Sequence, residues 1–254
     1  MGRRKGSTSQ LALFPGVDPA VEAAYGVNAA EFPPDLVDLG RRLHPEVRLG
    51  PSTWSFPGWA GIVYDKEYPT GRLSHEGLPA VARHPLLRAA GIDRTHYAPV
   101  VAEELAVYAE QVPHSFRFLV KAHEACTLSH FPDRPRYGAQ RGLGNALFLD
   151  AAYAAEQVVA PTLEGLGVTL GAILFQFAPQ DLGVPRRFAE ELHAFLAALP
   201  RDVLYAVELR NREMLTPDYA GALAAIGGAG AVHCANAHPR MPDVAVQMQK
   251  AHPT

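Results

Sequence analysis

The sequence has few of the features that mark the commonest functional classes. Its 254 residues include two cysteines, Cys126 and Cys234, and neither belongs to a CxxC pair, which argues against a disulfide framework and against cysteine zinc sites. The motifs HExxH, GxGxxG and GxSxG and the P-loop are all missing, so the sequence predicts no metal site and identifies no cofactor. Two unpaired thiols are typical of a cytoplasmic protein.

A global basic field and a membrane segment are missing as well. The net charge is −3 and the pI is about 6.4, which argues against nonspecific nucleic-acid binding driven by overall charge but leaves a local basic patch open. No run approaches the ~18 apolar residues that a membrane helix needs. At the start only "LALF" precedes Pro15, too short for a secretory signal. We expect a cytoplasmic protein without membrane contact.

Apolar runs and amphipathic stretches alternate along the chain. Helices are predicted near 78–90 with an interruption at Pro85, near 102–112, near 148–164 with an end or kink at Pro161, near 185–200 and near 217–230. Strands are predicted near 47–50, 92–100, 116–121, 167–180, 205–210 and 231–239. Such alternation with short connections predicts a parallel sheet that is covered by helices. We interpret residues 1–20 as a flexible tail and residues 21–254 as a single domain of this kind.

Three predicted strands share a pattern in which one face is apolar throughout and the other becomes polar near the end. Lys121 and His123 share one face of their strand, as do Glu208 and Arg210 of theirs, and Gln176 ends a third. Functional side chains of parallel sheets lie at the carboxyl ends of strands, so we predict that these five groups converge in one pocket. The alternative is a set of unrelated ion pairs and caps with a packing role.

Four motifs carry a family resemblance. They are, in order, "GPSTWSFPGWAGIVY", "FRFLVKAHEACT", "GAILFQFAPQ" and "YAVELRNREML". Together they resemble the successive signature strands of the domain-of-unknown-function 72 family, the YecE-like proteins, over about residues 47–240. The resemblance implies a TIM-barrel-like parallel β/α barrel but no reaction, because none is established for that family. It also implies pocket positions at Thr53, Trp54, Tyr97, Lys121, Gln176, Glu208 and Arg210.

The sequence departs from the family pattern at its end. Family members continue beyond the "NAHPRMP"-like segment into further strands, whereas this chain runs through "DVAVQMQKAHPT" and stops. We therefore expect an incomplete or open barrel of about six to seven β/α units, fewer than the eight of a closed barrel. Either the sequence is truncated, or an exposed sheet edge is covered by another chain, which would make the protein an oligomer.

The residue types of the predicted pocket indicate its chemistry. Glu208 is the natural general acid or base, and Arg210 has the fork geometry that binds phosphate or carboxylate. Lys121 is either an anion anchor or a nucleophile, while Trp54 either stacks on a ligand or plugs the core. The predicted catalytic residues are Glu208, Lys121 and Tyr97, and the predicted substrate-binding residues are Arg210, Gln176, Thr53, Trp54, His123 and Asn236.

These observations favour an acid/base enzyme of the hydrolase class, acting on a phosphate-containing or nucleic-acid-derived substrate at the mouth of the barrel. One alternative is a barrel that binds nucleic acid without chemistry, and another is an inactive, shortened family member. A weaker alternative is a divalent-metal site formed by His123, Glu208 and His238.

Overall fold

Five parallel strands form the centre of the protein in a computed structural model that describes residues 26–251. They are β1 (Ala89–Ile92), β2 (Arg117–Lys121), β3 (Leu170–Phe177), β4 (Tyr205–Leu209) and β5 (Ala231–His233). Each strand pairs with the next along the chain, so the spatial order equals the sequence order. The predicted α/β class with a parallel sheet is confirmed. The predicted tail, residues 1–20, lies outside the described residues.

Helices precede the sheet and connect its strands. They are α1 (Pro34–Arg42), α2 (Thr70–Glu76), α3 (Leu78–Arg83), α4 (Ala102–Glu110), α5 (Ala151–Ala154), α6 (Ala160–Leu166), α7 (Pro185–Ala197), α8 (Pro217–Ala224) and α9 (Val244–Ala251). Three of them begin with proline, which suits a first helical position because its backbone nitrogen needs no hydrogen-bond partner there. Among the helices of residues 26–251, none combines the length and the apolar character needed to span a bilayer.

A π-helical turn, Ala155–Val159, joins α5 to α6. The Ala160 amide donates to the Ala155 carbonyl, five residues back, just before Pro161, which has no amide hydrogen to donate. Pro161 was expected to end or kink the predicted helix at 148–164. The structure instead continues the helix to Leu166 after widening it by one residue.

The outer face of the sheet is apolar and fully covered. Phe175 packs edge-on against Phe195 of α7 with ring centroids 5.1 Å apart, and Phe177 packs against Phe188 at 5.3 Å. All four rings are at most 3% exposed. Truncation of a buried phenylalanine to alanine typically costs about 3–5 kcal/mol, so this layer is a major source of stability.

The inner face of the sheet is partly open. Leu119 of β2 and Val232 of β5 are each 37% exposed, and Lys121 and Gln176 are only partly buried. The register pairs Gln176 directly with Glu208. The polar ends of β2, β3 and β4 therefore lie on the inner face, which is the more exposed of the two faces among residues 26–251.

The two edges of the sheet are not joined within residues 26–251, where the strand pairings run from β1 to β5 without closing. Beside β1 lies a short extended segment in which the Leu49 carbonyl accepts from the Ala89 amide at 3.2 Å. Gly91 allows this approach, because a Cβ atom there would lie 2.8 Å from the Ser52 carbonyl oxygen. The predicted strand at 47–50 is thus an edge contact, and the sheet is consistent with a barrel-like fold.

The segments around β1 match the sequence predictions only in part. The helix predicted over 78–90 ends at Arg83, close to the interruption predicted at Pro85, but it does not resume, because β1 begins at Ala89. The strand predicted over 92–100 gives way to a 3₁₀ turn, Arg94–His96, directly after β1. The segment "LLRAAGI" has only a weak local preference for a helix, and pairing of β1 with β2 makes part of it a strand instead.

The sequence left open whether Trp54 stacks on a ligand or fills the core, and the structure places Trp54, with Tyr64 of the same loop, in the core. Trp54 is 6% exposed, donates through Nε1 to the Ser74 carbonyl at 3.2 Å and packs edge-on against Tyr108. Tyr64 is fully buried and its hydroxyl donates to the Trp54 carbonyl. Both rings fill the core beneath β1 and β2, so Trp54 cannot stack on a ligand without leaving it.

Candidate functional site

The carboxyl ends of all five strands lie at one edge of the sheet because the strands are parallel. The longest connection at that edge follows β2 and spans residues 122–150. The side chains at or near this edge that are capable of chemistry are Asp93, His96, Tyr97, Lys121, His123, Glu124, Gln176, Glu208 and Arg210. They form two separate groups, one on the inner face of β3 and β4 and one around the loop after β2.

Glu208 is held between two donors on the inner face. Gln176 donates through Nε2 to Glu208 Oε2 at 2.7 Å, and Arg210 donates through Nε to Glu208 Oε1 at 2.9 Å. The Glu208 side chain is 9% exposed and that of Arg210 is 31% exposed. Within residues 26–251 the two terminal amino groups of Arg210 make no hydrogen bond. The Glu208 carboxylate is therefore held in place, and the two terminal nitrogens of the neighbouring Arg210 have no partner in this part of the chain.

Lys121 lies on the same face as Glu208 but does not contact it. Its ammonium group bonds the Asp93 carboxylate at 2.9 Å instead. Lys121 pairs in register with Leu174, so its Cα lies roughly 12 Å from that of Glu208, two strands across and two residues along. The structure therefore brings Gln176, Glu208 and Arg210 together as predicted from strand parity, and leaves Lys121 with a nearer carboxylate.

A second carboxylate, Glu124, lies in the 3₁₀ turn Glu124–Cys126 that follows β2. Its Oε2 atom accepts from Arg136 Nη2 at 2.5 Å and from the Tyr137 hydroxyl at 3.0 Å, and His96 Nε2 is 3.7 Å away. Its Oε1 atom has no donor among residues 26–251. Because no fully buried side-chain oxygen or nitrogen of the described residues lacks a partner, Oε1 is accessible to solvent.

Two histidines flank Glu124, and both are neutral near pH 7. The Ala122 carbonyl oxygen lies 3.2 Å from His96 Nδ1 and can only accept, so Nδ1 carries the proton and Nε2 presents a lone pair. His123 Nδ1 lies 2.7 Å from the Tyr153 hydroxyl. Burial lowers the pKa of both imidazoles, and the Glu124 carboxylate only partly offsets this.

Arg136 is stacked between two tyrosine rings. Its guanidinium carbon lies 5.5 Å from the ring centre of Tyr97 and 4.6 Å from that of Tyr137, both within cation–π range. Beside this stack is a cavity of about 480 Å³, which we call the β2-loop cavity. It is lined by Tyr97, His123, Glu124, Ala125, Phe131, Arg136, Tyr137, Gln140 and Leu147.

The remaining predicted binding residues are dispersed. Thr53 is exposed and its hydroxyl bonds that of Ser55 at 3.0 Å. Asn236 donates to the Leu209 carbonyl at 2.9 Å, so its side chain ties the segment after β5 to the end of β4. Tyr97 is 64% exposed and lines the β2-loop cavity together with His123. Neither Tyr97 nor His123 bonds the Glu208 group.

Sequence reasoning missed Asp93, Glu124, Arg136 and Tyr137. Glu124 stands inside the motif "FRFLVKAHEACT", but alternation along a strand selects His123 and passes over its neighbour once the strand has ended. Arg136 and Tyr137 lie in a polar loop without periodicity, so no pattern could place them. The acidic residue three positions after the predicted strand end was the available signal for Glu124.

Metal and thiol chemistry find little support in this part of the chain. Across residues 26–251 no group of three or more His, Cys, Asp and Glu side chains is arranged to hold a metal ion, so His123, Glu208 and His238 do not form a site.

Burial raises the pKa of Cys126 to about 12. Burial, with a smaller effect of Glu208, raises the pKa of Cys234 to about 11. Both thiols are protonated and poorly nucleophilic near pH 7.

Comparisons with known proteins agree on one family. The model of the family described as "Protein of unknown function DUF72" matches residues 48–252. Two crystal structures of a DUF72 family protein from Enterococcus faecalis V583 are similar at 18% and 19% identity, with TM-scores of 0.43 and 0.41. They match 68% and 71% of this chain, which spans 54% and 59% of theirs. No curated protein matches.

Proposed function

This chain belongs to the DUF72 family, and because that family's description assigns no reaction, we propose a function from the geometry of the chain's own site. The proposed function is that of an acid/base enzyme of the hydrolase class. Its substrate is phosphate-containing, or a component of nucleic acid, and it binds at the carboxyl ends of β3 and β4.

The observation that carries the proposal is the arrangement of Gln176, Glu208 and Arg210. Arg210 uses Nε to hold Glu208, which leaves its two terminal amino groups to bind two oxygens of a phosphate. The Glu208 carboxylate lies beside that position and can accept a proton from an attacking water. Gln176 fixes the second carboxylate oxygen, so it is a positioning residue.

Lys121 supports the same assignment as a second cation on this face. Its side chain is 18% exposed and its ammonium group bonds one oxygen of Asp93, so two of its three N–H donors have no partner among residues 26–251. The anchoring role is favoured over the nucleophilic one, because the Lys121 nitrogen already bonds the Asp93 carboxylate at 2.9 Å.

Binding of nucleic acid without chemistry is less well supported. That alternative needs free cations and exposed aromatic rings along one surface, as in proteins that bind single strands. Trp54, which would have to stack on a base, is instead buried in the core. The buried Glu208 carboxylate, held by two donors, suits catalysis but does not suit the binding of a polyanion.

The direct test is hydrolysis of phosphate esters by the purified protein. We would assay aryl phosphomonoesters, aryl phosphodiesters and nucleotides, with and without Mg²⁺, for the native chain and for Glu208→Gln. The matched control is Glu190→Gln, because Glu190 also pairs with an arginine, Arg186, but on an exposed helix face. We expect turnover that Glu208→Gln abolishes and the control preserves.

A different result would replace the proposal. If the native protein has no esterase activity but binds DNA or RNA with steep salt dependence that survives Glu208→Gln, the chain is a binding protein. A cooperative thermal melt of each variant would show that lost activity does not reflect lost folding.

A further inference from the structure

We propose that the β2-loop cavity binds a neutral, planar nitrogen heterocycle, such as the base of a nucleoside. The cavity and the Glu208 group share no residue, so this inference goes beyond the proposed hydrolase function and can hold or fail without it. Three properties of the cavity carry it, namely its charge, its free hydrogen-bonding groups and its aromatic surface.

The charges of the cavity cancel. Glu124 and Arg136 form an ion pair at 2.5 Å, and His96 and His123 are uncharged near pH 7 because burial lowers the pKa of each. An anionic ligand would meet the Glu124 carboxylate, and a cationic one would meet Arg136. The site therefore favours a ligand without net charge, which separates it from the phosphate chemistry assigned to Arg210.

Among residues 26–251 the ion pair leaves one acceptor atom of Glu124 and two donor atoms of Arg136 without a partner. All contacts of Glu124 fall on Oε2, so Oε1 can accept from a ligand N–H group. Arg136 bonds through Nη2, so Nε and Nη1 can donate to a ligand acceptor. A donor next to an acceptor on one edge is the pattern that nucleobases present to proteins.

The walls suit a flat ring. Tyr97 is 64% exposed and offers a ring on which a base can stack, while Phe131 and Leu147 give the cavity an apolar side. A sugar, with hydroxyl groups around its ring, would leave some of them unpaired against those two side chains. The volume of about 480 Å³ lies within the range of about 300–1,000 Å³ usual for small-molecule sites, so a single nucleoside fits better than a polymer.

The test is direct binding of neutral nucleosides. Calorimetric titration with adenosine, guanosine, cytidine and uridine, and with ribose as the non-aromatic comparison, would be carried out on the native chain. We expect saturable binding of at least one nucleoside and none of ribose at the same concentrations. Absence of binding by all four nucleosides, or equal binding of ribose, would overturn the proposal.

Variants of Tyr97 locate the binding. Tyr97→Ala is expected to weaken nucleoside binding about tenfold or more, because it removes the aromatic ring on which the base stacks. Tyr97→Phe keeps the ring and is expected to bind within about twofold of the native chain. Phe56→Ala is the matched control, since Phe56 is 55% exposed and does not line the cavity. An unchanged affinity in Tyr97→Ala would refute the assigned site.

A second pair of variants separates this site from the proposed hydrolase. Glu124→Gln is expected to weaken nucleoside binding several-fold by removing the charge on the free acceptor, whereas Glu208→Gln is expected to leave it unchanged. Loss of binding in Glu208→Gln with retention in Glu124→Gln would place the nucleoside at the inner face instead and contradict the inference.

Discussion

Glu208 and Glu124 are both buried carboxylates paired with an arginine near the same edge of the sheet, yet they are held in opposite ways. Glu208 extends from a strand and receives one donor on each oxygen, from Gln176 and Arg210. Glu124 lies in a turn and receives Arg136 and Tyr137 on a single oxygen. One carboxylate is fixed on both sides, and the other keeps an oxygen available.

The difference shows that the secondary structure around a carboxylate affects the function for which it is suited. Strand pairing fixes Gln176 opposite Glu208 through the backbone, so that carboxylate is preorganised for a reaction that tolerates little movement. The partners of Glu124 come from a 3₁₀ stretch, Pro135–Gln140, in a long loop, and loops adapt to ligands more readily than strands do. Catalysis suits the first carboxylate, and recognition suits the second.

The sharpest test of this comparison exchanges each carboxylate for an amide. Glu208→Gln should lower kcat/KM for a phosphate ester by about 10²–10⁴-fold, the usual contribution of a general base, whereas Glu124→Gln should lower it less than about tenfold. The measurement is steady-state kinetics with the best ester found. Equal losses in the two variants would mean that both carboxylates belong to one active site.

Stability provides the next contrast, through the arginine of each pair. Arg210→Ala should cost about 2–3 kcal/mol because it leaves one oxygen of the largely buried Glu208 without its donor. Arg136→Ala should cost about 1 kcal/mol because Tyr137 and solvent still reach Glu124. Urea denaturation would measure both. The exposed pair Arg186–Glu190 is the control, and Arg186→Ala should cost less than about 0.5 kcal/mol. The reverse order of the two buried pairs would contradict the comparison.

Acidification should weaken the surroundings of Glu124 more than those of Glu208. The pKa values of His96 and His123 are lowered by burial, so their contribution to stability is present above the ordinary value of 6.5 and is lost as pH falls below it. Between pH 7.5 and 5.5 we therefore expect the free energy of unfolding to fall.

The histidine contribution can be isolated by replacement. In the double variant His96→Gln, His123→Gln, the fall in the free energy of unfolding between those two pH values should be smaller than in the native chain. The exposed His75→Gln serves as the control and should leave the fall unchanged. A double variant with the native pH dependence would show that the two rings titrate alike in the folded and unfolded chains.

The smallest expected effect concerns the hydrogen bond between Tyr153 and His123. Tyr153→Phe removes the hydroxyl 2.7 Å from His123 Nδ1 and should cost about 0.5–1.5 kcal/mol in urea denaturation. Tyr97→Phe is the matched control, because the Tyr97 hydroxyl bonds no group among residues 26–251 and its loss should change stability by less than about 0.5 kcal/mol. Equal costs would mean that the Tyr153 bond adds nothing.

The alternation of side chains along the strands was enough to predict the group of Gln176, Glu208 and Arg210, but not the group around Glu124. Alternation along "YAVELR" and "GAILFQF" places Glu208 and Gln176 on the same face, and the parallel register then brings them into contact. Lys121 has the same parity, but the sequence could not show that Asp93 would bind it, because the strand carrying Asp93 was itself misplaced. Arg136 and Tyr137 depend on loop folding, which no periodicity encodes.

The helices and strands also differ in how well the sequence predicted them. The stretches that became β3, β4 and α7 were predicted within a few residues, because each is long and strongly patterned. The helix α9 was not predicted, since "VAVQMQKA" mixes alternation with helical spacing. The burial of Trp54 and Tyr64 depends on packing between distant segments, which local sequence does not specify.

The sequential order of the strands has a consequence for how the chain folds. Paired strands are separated by 28, 52, 32 and 26 residues in the registers Ala89–Arg117, Phe118–Leu170, Ile173–Tyr205 and Tyr205–Ala231. Each strand can therefore dock on one already made as the polypeptide leaves the ribosome. The widest closure, between β2 and β3, carries the largest entropic barrier and encloses the segment that forms the β2-loop cavity. That cavity should be the last part of the sheet's surroundings to acquire its native shape.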